Sequence, residues 1–375
     1  MKNVLGLIIA FDTDNDLREL TDHRTVAAVP FGGRYRIVDF MLSNMVNADI
    51  YRIGLLMKDK YQSLIDHVGN GKDWDLSRKN AGITLLPPYS YSKKASPLVT
   101  GEYRGKIDAL AGAIDYLQKN RADYVVLADG DLIANIDISE VVQAHENGGN
   151  DITMVVTKKS ADNPFTTYCE LNRKREIVDI RVGDNNDGKC KYSALGVYVM
   201  SRQYLIHLIA DCVTHNCIHF ERELLTRALN DSNIGAYVFN EYNTKVFDAK
   251  DYFQANMDIL DKDCRDELFL RTRPIFTRIY DEAPTYYGDQ AEVCDSLVAD
   301  GCHIEGKVTN SVLFRDVLVE KDAEIKNSII MENGRVLSGA SLAHIVLDRG
   351  VTIREGRTMM GHENYPVVIA KRSVV

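Results

Sequence analysis

Directly after the first apolar run of the chain, Val4 to Ala10 and then Phe11, comes a polar stretch: Asp12, Thr13, Asp14, Asn15 and Asp16. The apolar run has the length and character of a buried strand in a parallel sheet. A loop at the carboxyl end of such a strand is where an open α/β sheet binds nucleotides, usually through glycines that let backbone N–H groups approach phosphates. This loop has no glycine, and its carboxylates stand where a polyphosphate would sit. It also has the alternation of the first half of an EF-hand, but Leu17 takes the glycine position and His23 the place of the closing glutamate. A solvated acidic loop is the better reading. A second cluster, Cys212, His215, Cys217 and His219, carries zinc-capable side chains without the spacing of a finger, so ordinary loop or core residues are expected there.

The elements that would hold these groups alternate. Helices are expected at Ile37–Asn47, Tyr61–Val68, 105–117 and Ile138–Asn147, between strands at 53–57, 83–86, 124–128 and 151–157. Such alternation argues for a doubly wound, largely parallel α/β sheet. From Phe165 to Val199 the pattern changes to short strands with turns, an antiparallel insertion that returns to the sheet. Helices are then expected at 202–209, 220–229 and 250–260, and the charged DKDCRDE segment reads as the start of a linker running to about Pro274.

The last ninety or so residues follow a different rule. Aliphatics recur six residues apart at Leu313, Val319 and Ile325, and again at Val336 and Leu342, with small or turn residues between them. One inward aliphatic per side at that period is the signature of a parallel β-helix, which we read as an assembly domain.

Composition sets the outer limits. The 375 residues exceed one ordinary core, so two domains are expected. A formal net charge of −9 argues against a general nucleic-acid binder. No signal peptide and no membrane span are expected. Seven scattered cysteines without a CxxC pair fit reduced thiols in a cytoplasmic protein.

Several blocks taken together resemble bacterial ADP-glucose pyrophosphorylase, or glucose-1-phosphate adenylyltransferase. They are AAVPFGGRYRIVDFMLSNMVNADI (27–50), YRGKIDALAGA (103–113), LADGD (127–131), SALGVYVM (193–200) and DYFQANMDIL (251–260). The order is the family's and the resemblance covers essentially the whole chain. It implies a Rossmann-like nucleotidyltransferase domain with a mostly parallel mixed sheet over 1–262, a linker over 263–288, and a left-handed β-helix of hexapeptide repeats over 289–375. It also implies the reaction of ATP with glucose 1-phosphate to ADP-glucose and pyrophosphate, and tetrameric assembly. Gly105, Asp108, Asp131, Ser193 and Gly196 keep the frame of a substrate pocket, with Asp131 as the surviving metal aspartate.

The catalytic pattern of that family is broken at several places. Against LAGGxGTRLxxLTxxRAKPAVPFGG, two glycine positions fall on Asp12 and Asp14, the arginine on Asp16 and the lysine of AKP on Val26. The lysine of FVEKP falls on Gly183, and the aspartate of RDVGT on Lys245. Unit charges ~4 Å apart interact by about 4 kcal/mol near a protein surface, so acids in place of cations would repel a triphosphate. The pattern resembles the GlgD-type branch of the family. That implies a regulatory subunit, without catalytic residues or a metal of its own, in a hetero-oligomer with a catalytic GlgC-type chain that carries Mg²⁺ and ATP. Two other readings stay open. One is an active sugar-phosphate nucleotidyltransferase with an atypical first loop. The other is a sensor that fills the old pocket with a sugar phosphate or nucleotide, for which Lys93, Lys94, Arg104 and Lys106 are the effector candidates; a solvated basic surface is the plainer account of those four.

Overall fold

The structure is a computed structural model that describes residues 3–11, 15–79, 81–88, 103–158, 163–183, 185 and 188–375. Two of the acidic-loop positions, Asp12 and Asp14, and two effector candidates, Lys93 and Lys94, lie outside the described residues.

Nine strands form the main sheet: β1 Val4–Ile9, β2 Arg52–Leu56, β3 Gly82–Leu86, β4 Tyr124–Asp129, β5 Ile152–Thr157, β6 Thr167–Leu171, β7 Ile177–Val182, β8 Tyr192–Ser201 and β9 Ile234–Val238. Their order is β7-β6-β8-β4-β1-β2-β3, with β5 pairing both β8 and β9. The β1–β2, β1–β4, β2–β3 and β5–β9 pairs are parallel. The pairs that β8 makes with β4, β5 and β6 are antiparallel. Residues of β1 alternate between the two sheet faces, Leu5, Leu7 and Ile9 on one and Val4 and Ile8 on the other, and both faces are covered. A strand buried on both sides has no polar face, which is why this stretch reads as an unbroken apolar run. Chain order reverses between β1 and β4, whose carboxyl ends meet where Ile9 pairs with Asp129. A crevice at such a reversal is the binding position of open α/β sheets.

Residues 286–369 wind into three five-stranded parallel sheets, the walls of a β-helix. One coil is seventeen residues, the offset between Ile325 and its partner Leu342. Leu313, Val319, Ile325, Ile330, Val336, Leu342 and Leu347 all point into the closed core. The sides are therefore six, six and five residues long. The short side turns through left-handed residues, Asn310, Asn327 and His344, with φ of 46°, 46° and 55°. Their side chains stack in a ladder, Asn310 donating to Asn327 at 2.8 Å and Asn327 meeting His344 at 3.2 Å. Asparagine tolerates this backbone better than most residues because its short amide bonds locally.

The two domains share a core. Leu17, Val26, Phe31 and Tyr252 pack in one cluster with Phe314 and Met331 of the solenoid. The Pro30–Gly33 turn is pressed into this seam, with Gly32 and Gly33 at φ of 59° and 83°. Tyr252 fastens it by donating its hydroxyl to the Pro30 carbonyl at 2.7 Å.

Three expectations need correction. The 105–117 helix is two, Lys106–Gly112 and Ile114–Lys119, broken where Gly112 passes the Tyr103 ring so closely that a Cβ would lie 2.5 Å from its hydroxyl. The charged segment after Asp261 is a helix, Lys262–Leu268, rather than linker. Asp261 caps it, and Cys264 and Leu268 are buried in the shared core. Within 220–229, Phe220–Leu225 is a π-helical turn, followed by a helix from Thr226 to Asp231.

Candidate functional site

The carboxyl ends of β1 and β4 hold a buried row of charges that alternates in sign. Lys106, at the start of the Lys106–Gly112 helix, places its ammonium 2.8 Å from Asp129 Oδ1 and 2.5 Å from Glu221 Oε1. Lys245 places its ammonium 2.5 Å from Asp129 Oδ2 and 3.8 Å from Asp131 Oδ1. The row therefore runs Glu221, Lys106, Asp129, Lys245, Asp131. Neutral donors close it at both ends, Tyr198 Oη on Glu221 at 3.3 Å and Asn15 Nδ2 on Asp131 at 3.2 Å.

Backbone pairing fixes each member. Asp129 ends β4, and Asp131 lies just beyond it, after Gly130, whose N–H bonds to Ile9. Lys245 ends a short strand, Asn243–Lys245, paired antiparallel with Leu132–Ala134. Glu221 rides on the π-helical turn, a local widening often found at functional sites. Gly196 sits in β8 at φ 75°, where a Cβ would lie 2.2 Å from Asp129 Oδ2, so only glycine lets the strand pass under that carboxylate.

Burial and charge pull the members in opposite directions. For Asp129 burial favours the neutral acid, but Lys106 and Lys245 more than offset it and hold its pKa below the ordinary carboxylate value. For Asp131 burial dominates, and its pKa is raised. Burial disfavours the charged form of Lys245, yet Asp129 and Asp131 reverse this and lift its pKa above that of an ordinary lysine. A cavity of about 310 Å³ opens over the row, lined among others by Asp131, Ser193, Gly196, Glu221, Lys245 and Asp251.

Comparison with known proteins gives this crevice a lineage. A family model described as nucleotidyl transferase matches residues 7–262, and one described as GlmU-like C-terminal hexapeptide matches 283–365. The chain is 31% identical to the glycogen biosynthesis protein GlgD of Bacillus subtilis (strain 168) over 376 residues, 98% of this chain and 96% of that one. It is 33% identical to the glucose-1-phosphate adenylyltransferase of Geobacillus stearothermophilus over 333 residues, 87% of this chain and 84% of that one. GlgD of the same organism is 33% identical over 325 residues, 86% of this chain and 82% of that one. The chain belongs to the glucose-1-phosphate adenylyltransferase and GlgD family of nucleotidyl transferases. The hexapeptide match makes its three-walled solenoid a left-handed β-helix.

Within that family, overall identity to enzymes and to GlgD proteins is the same, so individual positions have to discriminate. Asp16 is exposed, its N–H bonded to Phe247. Val26 is buried in the seam between the domains. Gly183 has φ 76°, and a Cβ there would lie 2.0 Å from the Pro164 carbonyl oxygen, so no lysine fits without rebuilding the turn. Of the pocket residues, Asp131, Ser193 and Gly196 line the cavity, joined by Lys106. Gly105 and Asp108 do not. Gly105 gives close approach to the Ile218 carbonyl, and Asp108 accepts two hydrogen bonds from the Arg104 guanidinium, at 2.8 and 3.0 Å. Arg104 is thereby neutralised, and Lys106 is committed to the buried row. Cys212 and Cys217 are buried and His215 and His219 are not gathered with them: no group of three metal-capable side chains occurs among the described residues.

Mg²⁺ does not fit the residues present. The ion takes six oxygens at about 2.1 Å, and here an ammonium lies between the carboxylates that would supply them. Two members of the row, Asp129 and Glu221, and the Tyr198 donor that closes it are not singled out by the sequence. Asp129 was visible in LADGD as an acid at the carboxyl end of a strand. Glu221 and Tyr198 carry no local signal, since a π turn and a long-range contact bring them in.

Proposed function

We propose that this chain is a regulatory, non-catalytic subunit of glucose-1-phosphate adenylyltransferase in glycogen biosynthesis. It would assemble with a catalytic GlgC-type chain, in a hetero-oligomer we take to be a tetramer, and raise that chain's activity. ATP and Mg²⁺ would be handled by the partner, and no cofactor is assigned to this chain. The observation that carries the proposal is Lys245, whose ammonium stands 2.5 Å from Asp129 in the crevice where a metal–triphosphate would have to enter. A fixed cation neutralises the site without offering the open coordination positions that phosphoryl chemistry uses. Seven free cysteines, six of them buried, suit a cytoplasmic setting, where we place the protein. Among the described residues no helix is long and apolar enough to cross a membrane.

The test follows pyrophosphate release from ATP and glucose 1-phosphate with Mg²⁺, using the chain alone and mixed with a GlgC-type subunit. No turnover alone, with raised kcat or lowered KM in the mixture, supports a regulatory subunit. Robust turnover alone overturns it. A second reading, a sensor of a sugar phosphate or nucleotide, draws on the cavity that stays open over the row. In the mixture it would appear as a response that depends on a metabolite this chain binds by itself.

A further inference from the structure

Cys212 and Cys217 take no part in the buried charge row, yet the fold sets them side by side. Cys212 lies in the last turn of the Arg202–Thr214 helix and Cys217 in the loop behind it, 2% and 5% exposed. The helix ends in a Schellman turn. Asn216 takes the left-handed conformation at φ 56°, its N–H bonds to the Val213 carbonyl at 3.2 Å, and the Cys217 N–H reaches back to the Cys212 carbonyl at 2.9 Å. That motif brings the side chains at its first and last positions against one another, ordinarily as an apolar pair. Here the pair is two thiols.

The two sulfurs meet the requirements of thiol exchange differently. A backbone hydrogen bond between two residues holds their Cα atoms about 6 Å apart, inside the ~4.4–6.8 Å that a disulfide spans. Cys217 is near enough to act on Cys212: burial first, and then the Cys217 thiol, push the Cys212 thiol up to about 12. Arg227 Nη1 stands 3.6 Å from Cys217 Sγ, and the Arg227 side chain is 45% exposed, so a cation and solvent meet at that sulfur. Negative charge that forms on Cys217 during exchange is thereby offset, while Cys212 keeps its proton.

We propose that Cys212 and Cys217 form a redox-active dithiol, a modification site that a low-molecular-weight disulfide closes into an intramolecular disulfide across the end of the helix. Cys217 gives its proton to water and attacks one sulfur of the oxidant. The oxidant's S–S bond breaks, and one half leaves, taking up a proton to become a thiol. Cys212 then loses its proton, bonds to the Cys217 sulfur and expels the other half. Two protein thiols give up two electrons and two protons, and the oxidant becomes two thiols. In a reducing compartment the pair stays open and closes under oxidative load, the usual role of a disulfide inside a cell. Closure locks the turn that leads into the π-helical segment. The next N–H groups along the chain, of Ile218 and His219, are held by Glu223 at 2.5 and 2.7 Å, and Glu221 beyond them belongs to the buried row. This goes beyond the regulatory assignment and does not depend on it.

The experiment uses the full wild-type chain and glutathione disulfide, with no substrate and no catalytic subunit, so its failure leaves the regulatory proposal standing. After an acid quench the remaining thiols are alkylated in denaturant, and the mass of tryptic peptide 203–222 is measured; it holds Cys212 and Cys217 and no other cysteine. The expected result is a peptide lighter by two hydrogens and free of alkyl groups, with both alkylation sites restored by a thiol reductant. Amide exchange at Asn216 and Cys217 should slow in the oxidised chain. Cys212→Ser should stop at a mixed disulfide of glutathione on Cys217. The proposal is overturned if peptide 203–222 keeps both thiols while the exposed Cys294 is capped by glutathione, if it takes up glutathione without closing, or if closure requires the chain to be unfolded. Unchanged exchange at the turn, or a folded Cys212→Ser that takes up no glutathione on Cys217, overturns it as well. The wild-type map decides even where the variant fails to fold.

Discussion

Arg24 of the nucleotidyltransferase domain and Asp348 of the β-helix form an ion pair across the domain seam, with side-chain exposures of 5% and 1%. Each partner is otherwise satisfied: Arg24 Nε donates to the Leu20 carbonyl at 2.8 Å, and Asp348 Oδ1 accepts from the Arg349 N–H at 2.6 Å. Breaking a buried pair by removing one member strands a charge, which costs about 3–5 kcal/mol, whereas replacing both by apolar groups is often neutral. Arg24→Met and Asp348→Leu should each lower stability by roughly that amount, and the double variant should recover most of the loss. Denaturant unfolding of the four chains closes the cycle. A double variant no better than the singles would show that the pair is not what links these positions.

The buried row makes a pH-dependent prediction at Lys106. Lys106→Met leaves Asp129 with Lys245 alone and Glu221 without its cation. The cost should be about 3–5 kcal/mol at neutral pH. In the wild type the Asp129 pKa is depressed, so its contribution is fully present above the unfolded carboxylate value and is lost as pH falls through the folded one. The variant has less of this contribution to lose. The stability gap between the two proteins should therefore narrow as pH falls from the ordinary carboxylate value of 3.8 toward the lower folded value, as followed by chemical denaturation. A gap that is constant or widens would exclude this account.

Gly183 holds a backbone conformation in which the lysine of the family pattern cannot be restored by one substitution without strain. Gly183→Lys should not create pyrophosphorylase activity and should lower the melting temperature, because φ 76° and the Pro164 carbonyl both oppose any Cβ. Gly183→Ala should lower it as well, which separates backbone strain from charge. A lysine variant as stable as the wild type would show that the 164–183 turn rearranges freely.

How much of this was legible beforehand depends on the range of the determining contacts. β1, β4 and the Ile37–Asn47 helix are set by local pattern, and they stand where the apolar runs put them. The solenoid was visible from two of its sides, because Leu313, Val319 and Ile325 recur at six. The third side hid behind a five-residue step, the one that turns at Asn310, Asn327 and His344. The Lys262–Leu268 helix was read as linker because its charges mask the few apolar residues that the shared core uses. At the site, Lys245 could be aligned from the sequence, but its bond to Asp129 spans 116 residues. Sequence shows a lysine where the family pattern has an aspartate; only packing shows that this lysine pairs with Asp129.

Asp251, on the cavity wall, gives the last prediction. Burial, and then the neighbouring Asp248 carboxylate, push its pKa up to about 6 from a model-compound value of 3.8. An acid that holds its proton more tightly when folded favours folding at low pH, and that advantage is lost as pH rises through the window between those two values. Above it, the folded chain carries an ionised Asp251 that burial and Asp248 disfavour. Asp251→Asn removes the charge and keeps an oxygen able to accept from the Phe247 N–H, now bonded at 3.1 Å. The variant should be more stable than the wild type at pH 7.5, nearly equal at pH 4, and should show a flatter dependence between. Melting temperatures in matched buffers at those two pH values decide it. A variant less stable at pH 7.5 would mean that the ionised carboxylate is held by hydrogen bonds strong enough to outweigh its burial.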